Sequence, residues 1–317
     1  MISCTEFIPL YSELFKYLYR CGGDEAVMEY WLYLSEKNIG DLTNPNSLGA
    51  NCARLGGFEG AMAYWGHTLG EEACDVCRII NPKEQYIYSH MRHCPSMGML
   101  NDLHHVKPYH DYCKHCDVIY EPVLKKYGMT NERLFCDPKT ASCASIKYPV
   151  GKRPTIDFTK PTPDCKVDDL KSEGAKYLHR DFHISGDFAL EYLGAKFGCE
   201  GVCGFLCDYA RYYYAPIIEG FKRGGLTAVR AWLTRLYEVE EASEVLHTEL
   251  SDAELKVTID KSPAIEFMHS VGQKPSKYYI EQTRTLYAAM ADGAGLGFSL
   301  DFYDAKTGKA TYRFYKK

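Results

Sequence analysis

Helical spacing of apolar side chains dominates the second half of the chain. Residues 188–197 and 202–221 carry apolar positions three and four apart, and Pro216 is expected to kink or break the second run. Lys222-Arg223-Gly224-Gly225 closes that run with late cations and glycine, and residues 226–237 predict a further short helix. The period then changes. Glu254–Ile259 alternates polar and apolar side chains and predicts a strand. Ser262-Pro263 opens a short helix and residues 277–290 form another. Residues 298–303 and 310–315 alternate around Asp304-Ala305-Lys306-Thr307-Gly308, which predicts a β-hairpin with a turn-forming centre.

The first half follows the same order, with residues 85–91 as its strand and 137–141 in its turn. When Gly56-Gly57 is written above Gly224-Gly225, the offset of 168 also places Tyr64 on Trp232, Glu72 on Glu240, Met91 on Ile259 and Cys94-Pro95 on Ser262-Pro263. After one residue is lost the offset becomes 167, and it pairs Pro108 with Pro275, Tyr112 with Tyr279, Tyr120 with Tyr287 and Phe135 with Phe302. Asp137, Lys139 and Thr140 then fall on Asp304, Lys306 and Thr307. A single register with one indel predicts an α+β protein made by tandem duplication of a helices–strand–helices–β-hairpin module. The modules are residues 1–148 and 176–317. Residues 149–175 join them, and the stretch 148–168 is rich in Pro, Lys and Asp and reads as an extended linker.

Charge and cysteine content narrow the function classes. Net charge is −5 with no basic block, so nucleic acid is not an expected partner. No stretch approaches the ~18 apolar residues of a membrane span. Residues 1–6 lack the basic start and apolar run of a signal peptide, so the cytoplasm is the expected compartment. There, fourteen Cys point to metal or catalysis rather than to disulfides. Cys4, Cys21, Cys52 and Cys199 are expected to be small buried hydrophobes. Tyr, at 26, outnumbers Phe, as it would around a polar small-molecule pocket or the interface of a homo-oligomer.

Two constellations carry chemistry. The first is Cys113-Lys114-His115-Cys116 followed by Cys136 and Cys143. A C-x-x-C at a helix start, facing two thiols across a hairpin turn, suits a soft tetrahedral ion, with zinc first and iron as the alternative. A redox or nucleophilic pair at Cys113 and Cys116 is the competing reading. The second module has Ile280, Thr283, Tyr303 and Ala310 in place of all four thiols, as loss of a shared ligand predicts. Cys94 of His93-Cys94-Pro95, at the end of a strand, is a further candidate ligand or nucleophile. His104, His105 and His110 could lend a ligand from a loop. Cys74 and Cys77 form a second C-x-x-C, readable as packing on a helix.

The second constellation is His179-Arg180-Asp181-Phe182-His183, which only the second module has. On a helix His179 and His183 would share a face, serving as general base or metal ligand with Asp181 orienting a ring. Arg211, Tyr213, Tyr278 and Tyr279, with Glu281 and Arg284 beside them, are candidates for a polar aromatic pocket that binds a carboxylate.

From residue 176 to 317 the chain resembles the bacterial L-2-amino-thiazoline-4-carboxylic acid hydrolase family. The likeness rests on His179 to His183, Arg211 to Pro216 with Ile217-Ile218-Glu219, Ser262-Pro263-Ala264-Ile265, Tyr278 to Thr283 and Asp304 to Arg313. It implies hydrolytic opening of a cyclic C–N bond. Residues 86–148 resemble the 4-vinyl reductase-type, TRAPP-like domains through Cys113, Cys136 and Cys143, which implies a zinc site to which Cys116 is an addition. The expected function is therefore a metal-assisted hydrolase of a small cyclic amide, amidine or thiazoline. A ligand-binding or sensor protein with structural zinc, and a redox or iron enzyme, are the alternatives.

Overall fold

The computed structural model describes residues 1–317 and is α+β, with nine α-helices and nine strands. In chain order these are α1 (Phe7–Leu34), α2 (Leu48–Leu55), α3 (Gly57–Glu71), β1 (Asp75–Asn81), β2 (Tyr86–His93), α4 (Pro95–Asp102), α5 (His115–Lys126), β3 (Met129–Asp137), β4 (Ser142–Pro149) and β5 (Lys166–Leu170). They continue with α6 (Phe182–Tyr212), α7 (Ala215–Val239), β6 (Leu246–Leu250), β7 (Glu254–Ile259), α8 (Pro263–Ser270), α9 (Glu281–Gly293), β8 (Leu296–Tyr303) and β9 (Ala310–Lys316). No helix is long and apolar enough to cross a membrane.

Contacts divide the chain into a central unit, Leu18–His179, and a terminal unit made of Met1–Tyr17 and Arg180–Lys317. The first residues therefore belong with the second half, where the sequence reading had assigned them to a 1–148 module. Hydrogen bonds show why. Ile2 N–H donates to Gln282 Oε1 at 2.9 Å, Cys4 N–H to Glu240 Oε1 at 2.7 Å, and Tyr209 Oη–H to the Glu6 carbonyl at 3.0 Å.

In the central unit an antiparallel sheet runs in the order β3-β4-β2-β1-β5. Its core joins Ile79, Tyr86, Tyr88, Ala144 and Ile146, with Phe158 and Cys165 packed against them. The stretch read as linker therefore does structural work. Phe158 covers core residues, and β5 pairs with β1 so that Asp168 stands opposite Arg78. Arg78, 4% exposed, donates from Nη2 to Asp168 Oδ2 at 2.7 Å. Asp168→Ala is expected to lower the stability of this unit by about 1–3 kcal/mol in urea titration, because it strips a buried donor of its acceptor. A change within about 0.5 kcal/mol, typical of an exposed site, would mean that β5 is not part of the cooperative unit.

In the terminal unit the sheet runs β6-β7-β9-β8, again antiparallel. Tyr287 sits 5.4 Å from Trp232 and 5.7 Å from Tyr312 between ring centroids, at the centre of an aromatic core with Phe298 and Phe314. Such edge-to-face pairs add directional attraction to buried area. The 202–221 run breaks just before Pro216, as expected: α6 ends at Tyr212 and α7 begins at Ala215, with Pro216 in its first turn, where its missing N–H costs nothing. Further interruptions fall at Gly198 in α6 and, as the glycine pair suggested, at Gly225 in α7.

Without β5, the central sheet order β3-β4-β2-β1 matches β8-β9-β7-β6, and the order of elements is also alike. Local devices recur. Pro95 and Pro263 open α4 and α8, and Gly23 (φ 66°, ψ −159°) interrupts α1 as Gly198 (φ 69°, ψ −170°) interrupts α6. At the hairpin tips Thr140 Oγ1–H donates to Asp137 at 2.8 Å and Thr307 Oγ1–H to Asp304 at 2.6 Å. The likeness is one of arrangement, and common descent of the halves stays a proposal.

Candidate functional site

The central unit gathers thiols at one end of its sheet. Cys136 and Cys143 face each other across the β3–β4 hairpin. Cys113 lies in the short turn before α5, and Cys116 in the first turn of that helix. Cys94 joins them, because its N–H donates to the Ala141 carbonyl at 2.6 Å and ties the start of α4 to the hairpin turn. Burial pushes the Cys113 thiol upward, with Cys136 and Cys116 adding to the effect. Burial likewise pushes Cys94 up to about 12, and Cys116 and Cys143 each to about 11. Arg133 lies beside this group, donating to Asp117 Oδ1 and to the Cys113 carbonyl, both at 3.0 Å, and it lowers the Cys116 thiol against the pull of burial. The donor set suits a thiophilic ion, which would displace the thiol protons. No three of the four predicted sulfurs lie within 4.8 Å of one another, so the thiols do not form a ready ligand set.

The histidine motif does not form one face of a helix. α6 begins at Phe182, so His179 precedes it and only His183 is helical. His179 Nδ1 meets Glu71 Oε2 at 2.7 Å inside the central unit. In the terminal unit His183, 5% exposed, donates from Nε2 to Glu240 Oε2 at 3.0 Å. Asp181 is the N-cap residue of α6, and its carbonyl accepts from Ser185 N–H at 3.1 Å.

Around His183 the structure assembles a set that sequence reading missed. One ligand atom each from Cys4, His183 and Glu240 lies within 4.8 Å of the other two, and all three residues are buried. Glu240 caps the end of α7, and its Oε1 accepts from Cys4 N–H. Burial pushes its carboxyl upward, yet the His183 charge and hydrogen bond, with help from Ser3 and Cys4 N–H, hold it at about 2. The Cys4 thiol is pushed up by burial and by the Glu240 charge, so it stays protonated against the carboxylate. A cavity of about 10 Å³, near the space of one water, adjoins His183 between Ser3, Phe7, Phe182 and Gln282.

The predicted pocket residues lie elsewhere. Arg211 is exposed, and Tyr213 stacks on Tyr209 at 5.0 Å. Tyr278 Oη–H donates to the Gly194 carbonyl at 3.1 Å, and Tyr279 is buried. None of the four lines the His183 cavity. Three cysteine expectations also change: Cys21 and Cys199 are exposed, and Cys77 lies on strand β1, not on a helix. Cys4 and Cys52 are buried as expected.

No family model, curated protein or solved structure matches the chain. In each unit a carboxylate follows a helix that leads into the sheet, Glu72 after α3 and Glu240 after α7. Glu72 faces thiols and imidazoles of its own unit and its carboxyl is pushed up by burial, whereas Glu240 has His183 and stays ionised.

Proposed function

We propose that this protein is a metal-assisted hydrolase of small cyclic amide-, amidine- or thiazoline-type compounds, with a divalent cation held by Cys4, His183 and Glu240. The observation that carries this reading is a buried nitrogen, sulfur and carboxylate oxygen within 4.8 Å of one another beside a cavity. Three protein ligands leave a position open, as catalytic zinc sites do. A cation bound there would supply an activated water near neutral pH. The chain's own contribution is positioning. Cys4 N–H fixes the rotamer of Glu240, and Glu240 fixes the tautomer and plane of His183. Phe7 and Phe182, stacked at 4.4 Å, wall the cavity with apolar surface and exclude bulk water. A ring substrate would require those two side chains to part.

The thiol group of the central unit favours a second zinc, in a structural role. On this account Cys113, Cys116, Cys136 and Cys143 hold the hairpin to α5 whether or not the chain is an enzyme. A non-catalytic ligand-binding protein with structural zinc is the reading that this group alone supports.

Elemental analysis of chain purified without added metal, combined with turnover of a 2-aminothiazoline carboxylate, separates the readings. His183→Ala is expected to lose one metal equivalent and to lower turnover by about 10²-fold or more. Cys113→Ser with Cys116→Ser is expected to lose a different equivalent. Unchanged turnover in His183→Ala overturns the hydrolase, and a coloured, iron-loaded sample overturns zinc.

A further inference from the structure

Helix α6 carries a row of thiols that neither site uses. Gly198 takes a positive φ of 69°, which interrupts the helix and starts a fresh run of turns at Cys199. Cys199, Cys203 and Cys207 then recur every four residues along one face. Against the first two stands Glu281, which opens α9 and is itself 2% exposed. Cys199 Sγ lies 3.8 Å from Cys203 Sγ and 4.0 Å from Glu281 Oε1, and Cys203 Sγ is 3.5 Å from Thr285 Oγ1. The ligand atoms of Cys199, Cys203 and Glu281 all lie within 4.8 Å of one another.

The geometry points to a surface site for a thiophilic divalent cation, held by Cys199, Cys203 and Glu281. Two thiolates on one tetrahedral ion with bonds of about 2.3 Å stand about 3.8 Å apart. The two sulfurs already have that separation. A disulfide is the competing fate of such a pair, but helix neighbours four apart hold their Cβ atoms about 5–6 Å apart, against about 3.8 Å in a disulfide. A bridging ion fits the intact helix and a disulfide does not.

Charge supports the same assignment. Two thiolates, one carboxylate and a divalent ion leave one net negative charge, and Arg284 stands beside it. Arg284 donates to both Glu281 oxygens, from Nε to Oε2 at 3.2 Å and from Nη2 to Oε1. Thr285 Oγ1–H donates to Oε2. These bonds fix the carboxylate rotamer and leave one edge of Oε1 turned to Cys199. Ligation forms two metal–sulfur bonds and one metal–oxygen bond, and releases the two thiol protons to solvent. Cys199 is exposed and Cys203 half-buried, so the ion enters from solvent without unfolding, unlike the buried set at His183. The site takes a soft or borderline ion such as zinc or cadmium, and excludes hard cations that require oxygen ligands.

Cadmium ion alone, titrated into reduced full-length chain stripped of metal, tests this through the sulfur-to-cadmium charge-transfer absorbance. Subtracting each variant from the wild type removes the signal of the other thiols. Cys199→Ser and Cys203→Ser are each expected to lose one equivalent of this signal. Glu281→Gln is expected to keep the band but raise the cadmium dissociation constant at least about tenfold. Cys207→Ser should titrate like the wild type. Far-UV circular dichroism shows that each variant folds, and the exposed Cys199→Ser decides the matter if Cys203→Ser does not. Titrations of Cys199→Ser and Cys203→Ser that match the wild type overturn the site. So does equal affinity in Glu281→Gln, which reduces the group to two bare thiols. A Cys199–Cys203 disulfide that forms in air despite saturating cadmium overturns it as well.

Discussion

Glu240→Ala lowers the unfolding free energy of the terminal unit by about 3–5 kcal/mol at pH 7, the expected cost of removing one partner of a buried pair. The carboxylate is 1% exposed and serves two groups at once, His183 Nε2 at 3.0 Å and Cys4 N–H at 2.7 Å. Alanine leaves both donors inside with no acceptor, and it unfastens the first residues of the chain from the end of α7. Glu240→Gln retains an acceptor for Cys4 N–H and costs less. The pH dependence has a definite sign. The folded carboxyl titrates at about 2, below its ordinary value of 4.5. Its contribution is therefore present above pH ~4.5 and is lost as pH falls toward ~2, where the alanine variant and the wild type converge. Urea titration with EDTA present, resolved for the terminal unit by hydrogen exchange, keeps metal linkage out of the comparison. A loss below about 1 kcal/mol, the level of an exposed ion pair, would show that solvent reaches the pair.

Much of the fold was legible because the periods are clean. β7 follows the alternation read over Glu254–Ile259, and α4 and α8 begin at the prolines that were expected to open them. The hairpin turns sit where the Asp-x-x-Thr pattern placed them. The missed strands had concealed patterns. β1 carries Arg78 on a buried position, satisfied by Asp168, so its alternation reads as broken. β5, Lys-Val-Asp-Asp-Leu, is a charged edge strand, a composition that guards an open sheet edge and looks like linker. β6 has apolar residues only at its two ends.

The sites were legible in part. His183 was found because paired imidazoles around an acid are conspicuous, but the spacing was wrongly read as one helical face. Asp181 ends the loop before α6, and that boundary separates His179 from His183. Glu240 and Cys4 come from 57 residues after His183 and 236 residues before Glu240, and a lone Cys near a chain start carries no local signal. One clue to Glu240 was available. The repeat register wrote it under Glu72, and the structure half-buries that carboxylate and fully buries the one at Glu240. The tyrosine-rich stretches misled because an aromatic hydroxyl can be satisfied by backbone, as Tyr278 is by Gly194, without any ligand.

Asp187→Asn is expected to be progressively more stable than the wild type as pH rises. Asp187 lies on α6 and is buried, and it accepts from Ser276 N–H at 2.6 Å and from Ser276 Oγ–H at 2.7 Å. Burial pushes its carboxyl up to about 7, with Glu191 adding to the rise and the two Ser276 bonds opposing it. A raised carboxyl means that the folded state prefers the proton. The stability that this preference provides is complete below the unfolded value near 4 and is lost as pH rises through about 7. A shift of about three units corresponds to at most about 4 kcal/mol. Asparagine is neutral throughout and escapes that loss, though its single amide oxygen replaces only part of what the carboxyl accepts from Ser276. Near pH 4 the variant is therefore no better than the wild type. Other buried groups titrate in the same range, Glu6 among them, which burial also pushes up to about 7. Their contributions cancel in the difference between the two proteins so long as Asp187 does not interact with them. The measurement is that difference, from urea midpoints at half-unit steps between pH 4 and 8. Parallel curves would mean that Asp187 is ionised when folded, with Ser276 overcoming burial.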